Sequence, residues 1–317
     1  MSGSLFLSLS LFNLFQINKF IMKVIVTGAS GLLGRAVYKQ LKAANIDVVG
    51  TAYSRAKNGL VKLDLANESE LEAFIAEQKP NAIVHCAAER RPDVAEKDQE
   101  GTRNLNIQVP KRLGSLCKTN NITLIYISTD YVFDGTSPPY EVTDKPNPLN
   151  FYGETKLGGE EAIREVNSDA IILRVPILYG DVEYNGESAI NILLDSVQNQ
   201  EKVVDMDNVG KRYPTNVQDI ARVIKDLLVK RVDLGEDLKG TFHFTNTECF
   251  TKYTICQLFG NLLNLPIDHL KRQDEIPASA AVSRPKDAHL SNKRLEAIGI
   301  DTKSVPFVGW WTEYLSK

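Results

Sequence analysis

From Lys23 onward, short runs of consecutive apolar residues alternate with stretches in which apolar positions recur at helical spacing. Val24-Ile25-Val26 leads through a glycine-rich stretch into Arg35-Ala36-Val37-Tyr38-Lys39-Gln40-Leu41. The alternation continues with Asp47-Val48-Val49-Gly50, a helical stretch over 68–78, Ala82-Ile83-Val84-His85, and a helix over 99–119. Thr123-Leu124-Ile125-Tyr126-Ile127-Ser128, a helix over 151–166 and Ala170-Ile171-Ile172-Leu173-Arg174-Val175 complete it. A strand covered on both faces reads as an unbroken apolar run, and parallel neighbours need a crossover helix between them. The pattern therefore predicts an α/β fold with a doubly wound parallel sheet, whose ligands sit beyond the carboxyl ends of the strands.

After Gly180 the texture changes. Helical stretches over 188–200, 220–229, 252–263 and 291–298 surround one strand-like run, Thr241-Phe242-His243-Phe244. This predicts a smaller C-terminal α/β lobe over residues 181–317, packed against a dinucleotide-binding Rossmann domain over 22–180. Residues 1–21 stand apart: the apolar run Leu5 to Phe15 has no basic residue before it and no small-x-small cleavage site after it. They are expected to be a disordered extension or a misassigned start, since Met22 is a natural beginning for the first strand. The run is also short of the roughly 20 residues a membrane span requires.

Composition narrows the function classes. The chain has 317 residues, 43% hydrophobic, 24% charged, with a net charge of -3, so no surface-wide attraction to nucleic acid or anionic membrane is expected. Cys86, Cys117, Cys249 and Cys256 form neither a disulfide framework nor a CxxC metal motif, and are read as reduced thiols of a cytoplasmic or nuclear protein. No His/Asp/Glu group has ligand spacing, so a catalytic metal is not indicated. His85 and His243, in apolar runs, are read as core residues.

Gly28-Ala29-Ser30-Gly31-Leu32-Leu33-Gly34 lies where the first strand turns into a helix. Glycines there admit a pyrophosphate close to the backbone, and the helix start offers free N–H groups. The tip of the second strand, Tyr53-Ser54-Arg55-Ala56-Lys57, has no acid for the ribose hydroxyls of NAD but has positive charge for a 2′-phosphate, which favours NADP. Asp64 is placed either to touch an adenine or to cap the helix that follows. At the end of the fourth strand, Glu89-Arg90-Arg91-Pro92-Asp93 sets two arginines where cofactor phosphates would lie. Arg90 is assigned to that contact; Arg91 is left between a substrate phosphate and the surface. Tyr152 and Lys156, four residues apart on one helical face, pair a phenol with a cation that favours its phenolate. Arg212 and Arg284 are each read as facing the cleft or as tied in salt bridges.

With these features the sequence resembles the extended short-chain dehydrogenase/reductases and, within them, the dTDP-4-dehydrorhamnose reductases. The resemblance is carried by Thr27 to Gly34, Ser128-Thr129-Asp130-Tyr131-Val132-Phe133-Asp134-Gly135, Tyr152 to Lys156, Pro214-Thr215 with Asp219-Ile220-Ala221, and Arg284-Pro285. It implies that Tyr152 protonates a substrate carbonyl oxygen, that Thr129 hydrogen-bonds the same oxygen, and that Lys156 holds the nicotinamide ribose and tunes Tyr152. It also implies a nucleotide-sugar ligand.

A second set of stretches, His85 to Val94, Pro138-Pro139-Tyr140, Pro176-Ile177-Leu178-Tyr179-Gly180, Gly240-Thr241-Phe242-His243 and Thr251-Lys252-Tyr253, is similar to the regulatory beta subunits of methionine adenosyltransferase. That resemblance implies an NADP site on Ser30, Gly31, Leu32, Leu33, Tyr53, Ser54, Arg55, Asp64, Leu65, Cys86, Arg90, Tyr152 and Leu178, and a catalytic methionine adenosyltransferase subunit as partner. It is favoured over a working reductase, which is the alternative. Those subunits carry a longer C-terminal tail, whereas this chain stops soon after Gly309-Trp310-Trp311, so tail-mediated docking is not expected. The aromatic residues of that terminal stretch serve either the core of the last lobe or a partner interface.

Overall fold

The computed structural model describes residues 21–275, 277 and 282–317; the expectations for residues 1–20 lie outside them. Element order is β1 (Lys23–Thr27), α1 (Leu32–Ala43), β2 (Asp47–Ala52), β3 (Val61–Lys62), α2 (Glu68–Gln78), β4 (Ala82–His85), α3 (Pro92–Ala95), α4 (Gln99–Arg103), α5 (Val109–Thr119), β5 (Thr123–Thr129) and α6 (Phe151–Val166). There follow β6 (Ile171–Val175), β7 (Leu178–Tyr179), α7 (Leu193–Gln198), β8 (Val204–Asp207), β9 (Thr215–Asn216), α8 (Val217–Leu228), β10 (Gly240–His243), α9 (Lys252–Leu263), β11 (Leu270–Gln273), α10 (Lys293–Ala297) and α11 (Phe307–Leu315). No helix among the described residues is long and apolar enough to cross a membrane.

Seven strands form a parallel sheet in the order β3-β2-β1-β4-β5-β6-β10. Strand order reverses between β1 and β4, and the crevice at such a reversal is where doubly wound sheets bind ligands. One face is covered by α1 and α8, which bury Val37, Leu41, Ile220, Ile224 and Leu227. The other is covered by α2, α5 and α6, which bury Leu71, Ile75, Leu113, Cys117 and Ile163. Both faces are thus dry, which accounts for the unbroken apolar character of β1, β4, β5 and β6.

The chain returns to this sheet late. Thr241-Phe242-His243 pairs with Ile172-Leu173-Arg174, so the outer edge of β6 is closed by residues from beyond Gly180, and α8 completes the first helical layer. The remaining C-terminal segments form their own core, in which Tyr179, Phe259, Phe307 and Trp311 pack edge-to-face and tilted. Trp311 is fully buried there, and Trp310 stacks on Tyr314. Of the two roles open for the terminal aromatics, Trp311 takes the core.

Two helical segments depart from the periodicity. The stretch over 99–119 is broken by a π-turn, Asn104–Gln108, between α4 and α5. The break turns Asn106 inward to bond the backbone of Glu89, a contact that a regular helix would aim elsewhere. The stretch over 188–200 is helical only in α7. Ser188 turns its hydroxyl to Leu178 O and accepts the amides of Ile190 and Asn191, a local alternative to helix that serine favours.

Helix α6 is tied to the sheet by one buried carboxylate. Glu160 accepts Ser128 Oγ of β5 at 2.6 Å and both Nε and Nη2 of Arg174 of β6 at 2.8 and 2.7 Å. Glu160 is 0% exposed and Arg174 2%. Burial opposes the charge on Glu160, but the Arg174 bonds outweigh it and hold the carboxyl below its ordinary range. Removing one member of such a pair strands the other in the core, so Glu160→Ala is expected to cost about 3–5 kcal/mol. Urea denaturation of the variant measures this; a loss below about 1 kcal/mol, the value of an exposed pair, contradicts it.

Candidate functional site

A cleft of about 910 Å³ opens at the carboxyl ends of β1, β2, β4, β5 and β6. At its floor the glycine loop makes two approaches that tolerate no side chain. Gly28 has φ +66°, and a Cβ there would stand 2.8 Å from Ala87 N, while one at Gly34 would run into the Gly28 carbonyl. Helix α1 therefore starts hard against β1. Its N-cap, Gly31, offers no side-chain bond, and its first turn has no acidic residue. The leading amides of a 12-residue helix are left facing the cleft, and the loop is shaped for an anionic group such as a pyrophosphate.

At one end of the cleft stands the tip of β2, where Tyr53, 65% exposed, precedes Ser54 and Arg55. Arg55 is not free: its Nη1 donates to Glu187 Oε1 at 2.7 Å and to Glu183 Oε2 at 3.1 Å. Both acids come from the segment after β7. Asp64 and Leu65 line the wall beside them. Asp64 Oδ1 accepts the amide of Ala66, whereas Asn67 caps α2, so the capping role weighed for Asp64 belongs to Asn67.

The arginine pair at the end of β4 divides its duties. Arg91 is turned back onto Glu89, which it meets through Nε at 2.9 Å and Nη2 at 2.8 Å. Arg90 lines the cleft, and its charge acts on the Tyr152 phenol. The segment carrying both is pinned by Asn106, whose Oδ1 accepts Glu89 N and whose Nδ2 donates to Glu89 O, both at 3.0 Å.

At the inner end, Thr129 from the tip of β5 faces Tyr152 and Lys156 from α6. Lys156 is 3% exposed. Its Nζ donates to Ile127 O at 2.8 Å and lies 4.0 Å over the Tyr126 ring. Burial, partly countered by Glu160 and Cys86, brings its ammonium down to about 7. The phenol of Tyr152 moves the other way. Burial pushes it well above its ordinary range, while the Thr129 hydroxyl and Arg90 oppose the rise. The lowering expected from Lys156 is not among the influences on this phenol; that ammonium is directed at the Ile127 carbonyl and the Tyr126 ring. Cys86, pushed up to about 12 by burial, is a protonated thiol lining the wall.

The residues assigned from the sequence to cofactor binding or catalysis line one cleft, namely Gly28, Ser30, Gly31, Leu32, Leu33, Gly34, Tyr53, Ser54, Arg55, Asp64, Leu65, Cys86, Arg90, Thr129, Tyr152, Lys156 and Leu178, whereas Arg91 and Lys57 do not. Arg212 and Arg284 are engaged in salt bridges, with Asp207 at 3.5 Å and Asp93 at 3.2 Å respectively. Among the lining residues to which the sequence assigned no role are Asp130 and Glu187. Asp130, beside Thr129, has its carboxyl raised to about 7 by burial against the pull of Thr129 and Arg212; its place at a strand end was the available signal. Glu187 gave no local signal, being brought to the cleft from the second half of the chain.

Comparison with known proteins gives consistent kinships. Residues 22–306 match the RmlD substrate binding domain family. The chain is 44% identical over 285 residues to methionine adenosyltransferase 2 subunit beta of Bos taurus, covering 90% of this chain and 84% of the bovine protein. Among solved structures, a dTDP-4-dehydrorhamnose reductase from Clostridium acetobutylicum superposes with a TM-score of 0.79 at 28% identity, over 93% of this chain and 99% of the other. A Bacillus anthracis dTDP-4-dehydrorhamnose reductase in complex with NADP matches the fold with the same TM-score, 0.79, at 24% identity, over 94% and 99%.

The Lys156 environment makes stability depend on pH. Below pH 7 the ammonium is charged in both the folded and unfolded chains, and the folded state carries the full cost of burying it. Above about 10.5 it is neutral in both and that cost is gone, so stability rises across the window between the two values. The urea midpoint of the wild type, referred to that of Lys156→Met, is expected to climb from pH 7 to 10.5; a constant gap refutes the assignment.

Proposed function

The chain belongs to the RmlD substrate binding domain family, and from that premise we propose that it is an NADP-binding regulatory beta subunit of methionine adenosyltransferase. In this role it binds the catalytic subunit in the cytoplasm and modulates synthesis of S-adenosylmethionine. The observation that carries the proposal is the identity to a named beta subunit across nine-tenths of the chain. The stretch His85 to Val94, with its arginine pair, is the local counterpart of that likeness.

The residues of the cleft fit a phosphorylated dinucleotide. In the proposal, the backbone from Ser30 to Leu33 receives the pyrophosphate, with Gly28 and Gly34 allowing the approach. Tyr53 and Leu65 flank the adenine, Arg55 faces the 2′-phosphate, and Arg90 reaches a phosphate with its fork of donors. Lys156, Cys86 and Leu178 border the nicotinamide end. Arg90→Ala is expected to weaken NADP binding by roughly ten- to a hundredfold, the range for a lost hydrogen bond to a charged group, with little change in thermal stability. Calorimetric titration decides; unchanged affinity removes Arg90 from the site.

A second reading, reduction of a nucleotide-linked 4-keto sugar, is favoured by one observation: Thr129, Tyr152 and Lys156 stand together at the inner end of the cleft. In that reading NADPH, when bound, would supply the hydride for a carbonyl carbon. Tyr152 then gives its proton to the carbonyl oxygen, Thr129 hydrogen-bonds that oxygen, and Lys156 holds the ribose and restores charge balance near the phenol. Affinity capture of the full chain from its own cells, followed by the Tyr152→Phe variant, separates the two. The regulatory proposal expects recovery of a methionine adenosyltransferase catalytic subunit, retained by Tyr152→Phe. Absence of that subunit, together with turnover of a dTDP-4-keto sugar that Tyr152→Phe lowers by about 10²–10⁴-fold, overturns it.

A further inference from the structure

Four charged side chains meet beside the β2 end of the cleft, and two of them, Arg55 and Glu187, line it. Arg35, one turn into α1, sends Nη1 and Nη2 to the two oxygens of Glu187 at 2.9 and 2.6 Å. Arg55 adds its Nη1 to Glu187 Oε1 at 2.7 Å, and the amide of Glu183 donates to Oε2 at 2.9 Å. The Glu187 carboxylate therefore receives four donors, and its side chain is only 2% exposed. Glu183, at 58% exposure, lies 3.1 Å from Arg55 and 3.9 Å from Arg35. Two guanidinium charges and two carboxylate charges thus stand in mutual contact, and the quartet is neutral.

We infer that Glu187 sets the cofactor preference of this cleft: by holding Arg55 in an ion pair it withholds positive charge from a 2′-phosphate and narrows the discrimination between NADP and NAD. The inference rests on the dinucleotide proposal for the cleft. A lone arginine at a β2 tip presents its full charge to a 2′-phosphate dianion. Here the phosphate meets an arginine whose Nη1 is already bonded to a fixed carboxylate, so less of its charge and fewer of its donors are left for the phosphate. Glu187 is not able to stand aside by taking a proton. Burial opposes its charge, yet the bonds from Arg35 and Arg55 outweigh burial and hold the carboxyl down to about 2. Nor is it able to swing away, since Arg35 grips both of its oxygens from a helix anchored by the glycine loop. Glu187 acts through Arg55 and is a positioning residue rather than a catalytic one.

The test is calorimetric titration of the full chain with NADP⁺ and with NAD⁺, in the wild type, Glu187→Gln, Glu187→Asp, Arg55→Ala and the double variant Arg55→Ala/Glu187→Gln. Removing the carboxylate charge is expected to raise the NADP⁺/NAD⁺ affinity ratio about tenfold, the effect of one neighbouring charge, through tighter NADP⁺ binding alone. Glu187→Asp, which keeps the charge, keeps the wild-type ratio. With Arg55 already absent, Glu187→Gln leaves the ratio where it is, because the effect runs through that guanidinium. A merely structural role weakens both nucleotides together and leaves the ratio unmoved, which overturns the inference; so does a ratio that falls. If circular dichroism shows Glu187→Gln unfolded, Glu183→Gln at the exposed corner carries the test, with a rise in the ratio of about threefold expected and no rise overturning it. A wild type that binds neither nucleotide defeats the cofactor proposal and this inference with it, whereas a wild type that binds NADP⁺ with an unmoved ratio defeats the inference alone.

Discussion

The inner end of the cleft depends on a carboxylate that never sees water. Tyr152, Lys156 and Glu160 follow one another at four-residue intervals along α6, so the residue that fixes the helix lies on the same face as the residues it presents. Glu160 bonds Ser128, the neighbour of Thr129 on β5, and Arg174 on β6, whose guanidinium lies 3.3 Å from His243 on β10. Three strands and one helix are thereby referred to a single point. The relative positions of Thr129, Tyr152 and Lys156 are a consequence of that point rather than of loop geometry, and placing functional groups on such rigid elements is what keeps their spacing constant.

A second constraint operates at the reversal of strand order. The residues following β4 must leave the sheet, cover the crevice and still present Arg90 inward. The π-turn between α4 and α5 solves this by rotating Asn106 toward Glu89, where one amide side chain satisfies both a donor and an acceptor of the escaping backbone and also donates to Thr155 on α6 at 3.1 Å. The Glu89 backbone fixed in this way leaves its carboxylate to hold Arg91 at the surface. The two adjacent arginines therefore differ not by their own chemistry but by which of them the glutamate captures.

Much of this was legible in the sequence because it is local. Apolar runs mark strands buried on both faces, and the glycine loop and the Tyr152–Lys156 spacing mark the floor and the inner end of the cleft, since each feature arises from residues close along the chain. What was hidden is non-local. Arg55 reads as a free cation from its own neighbourhood, and only the fold brings Glu187 to it across 132 positions. Arg284 finds Asp93 across 191 positions, and β10 reaches the edge of β6 after the chain has built the elements of another core. The break in the 99–119 helix lies between these cases: apolar spacing continues through it, but Pro110, just beyond the π-turn, has no amide to donate to the Asn106 carbonyl four residues back, and that carbonyl accepts the Tyr126 hydroxyl instead.

These dependencies also bear on what the retained phenol and ammonium mean. Lys156 satisfies the Ile127 carbonyl and stands between Glu160, Cys86 and the Tyr126 ring, so its replacement disturbs the seat of α6 whether or not a reaction occurs there. A Cβ at Gly153 would run into the Tyr131 carbonyl and one at Gly159 into the Asn106 carbonyl, so α6 approaches its neighbours too closely at both positions to present any other face, and this fixes the face on which Tyr152 must lie. A protein that kept the cleft only to bind a dinucleotide would be under the same packing constraints as one that reduces a sugar. The presence of Thr129, Tyr152 and Lys156 is therefore evidence of an intact cleft, and the weight of the functional assignment falls on the kinship that runs the length of the chain.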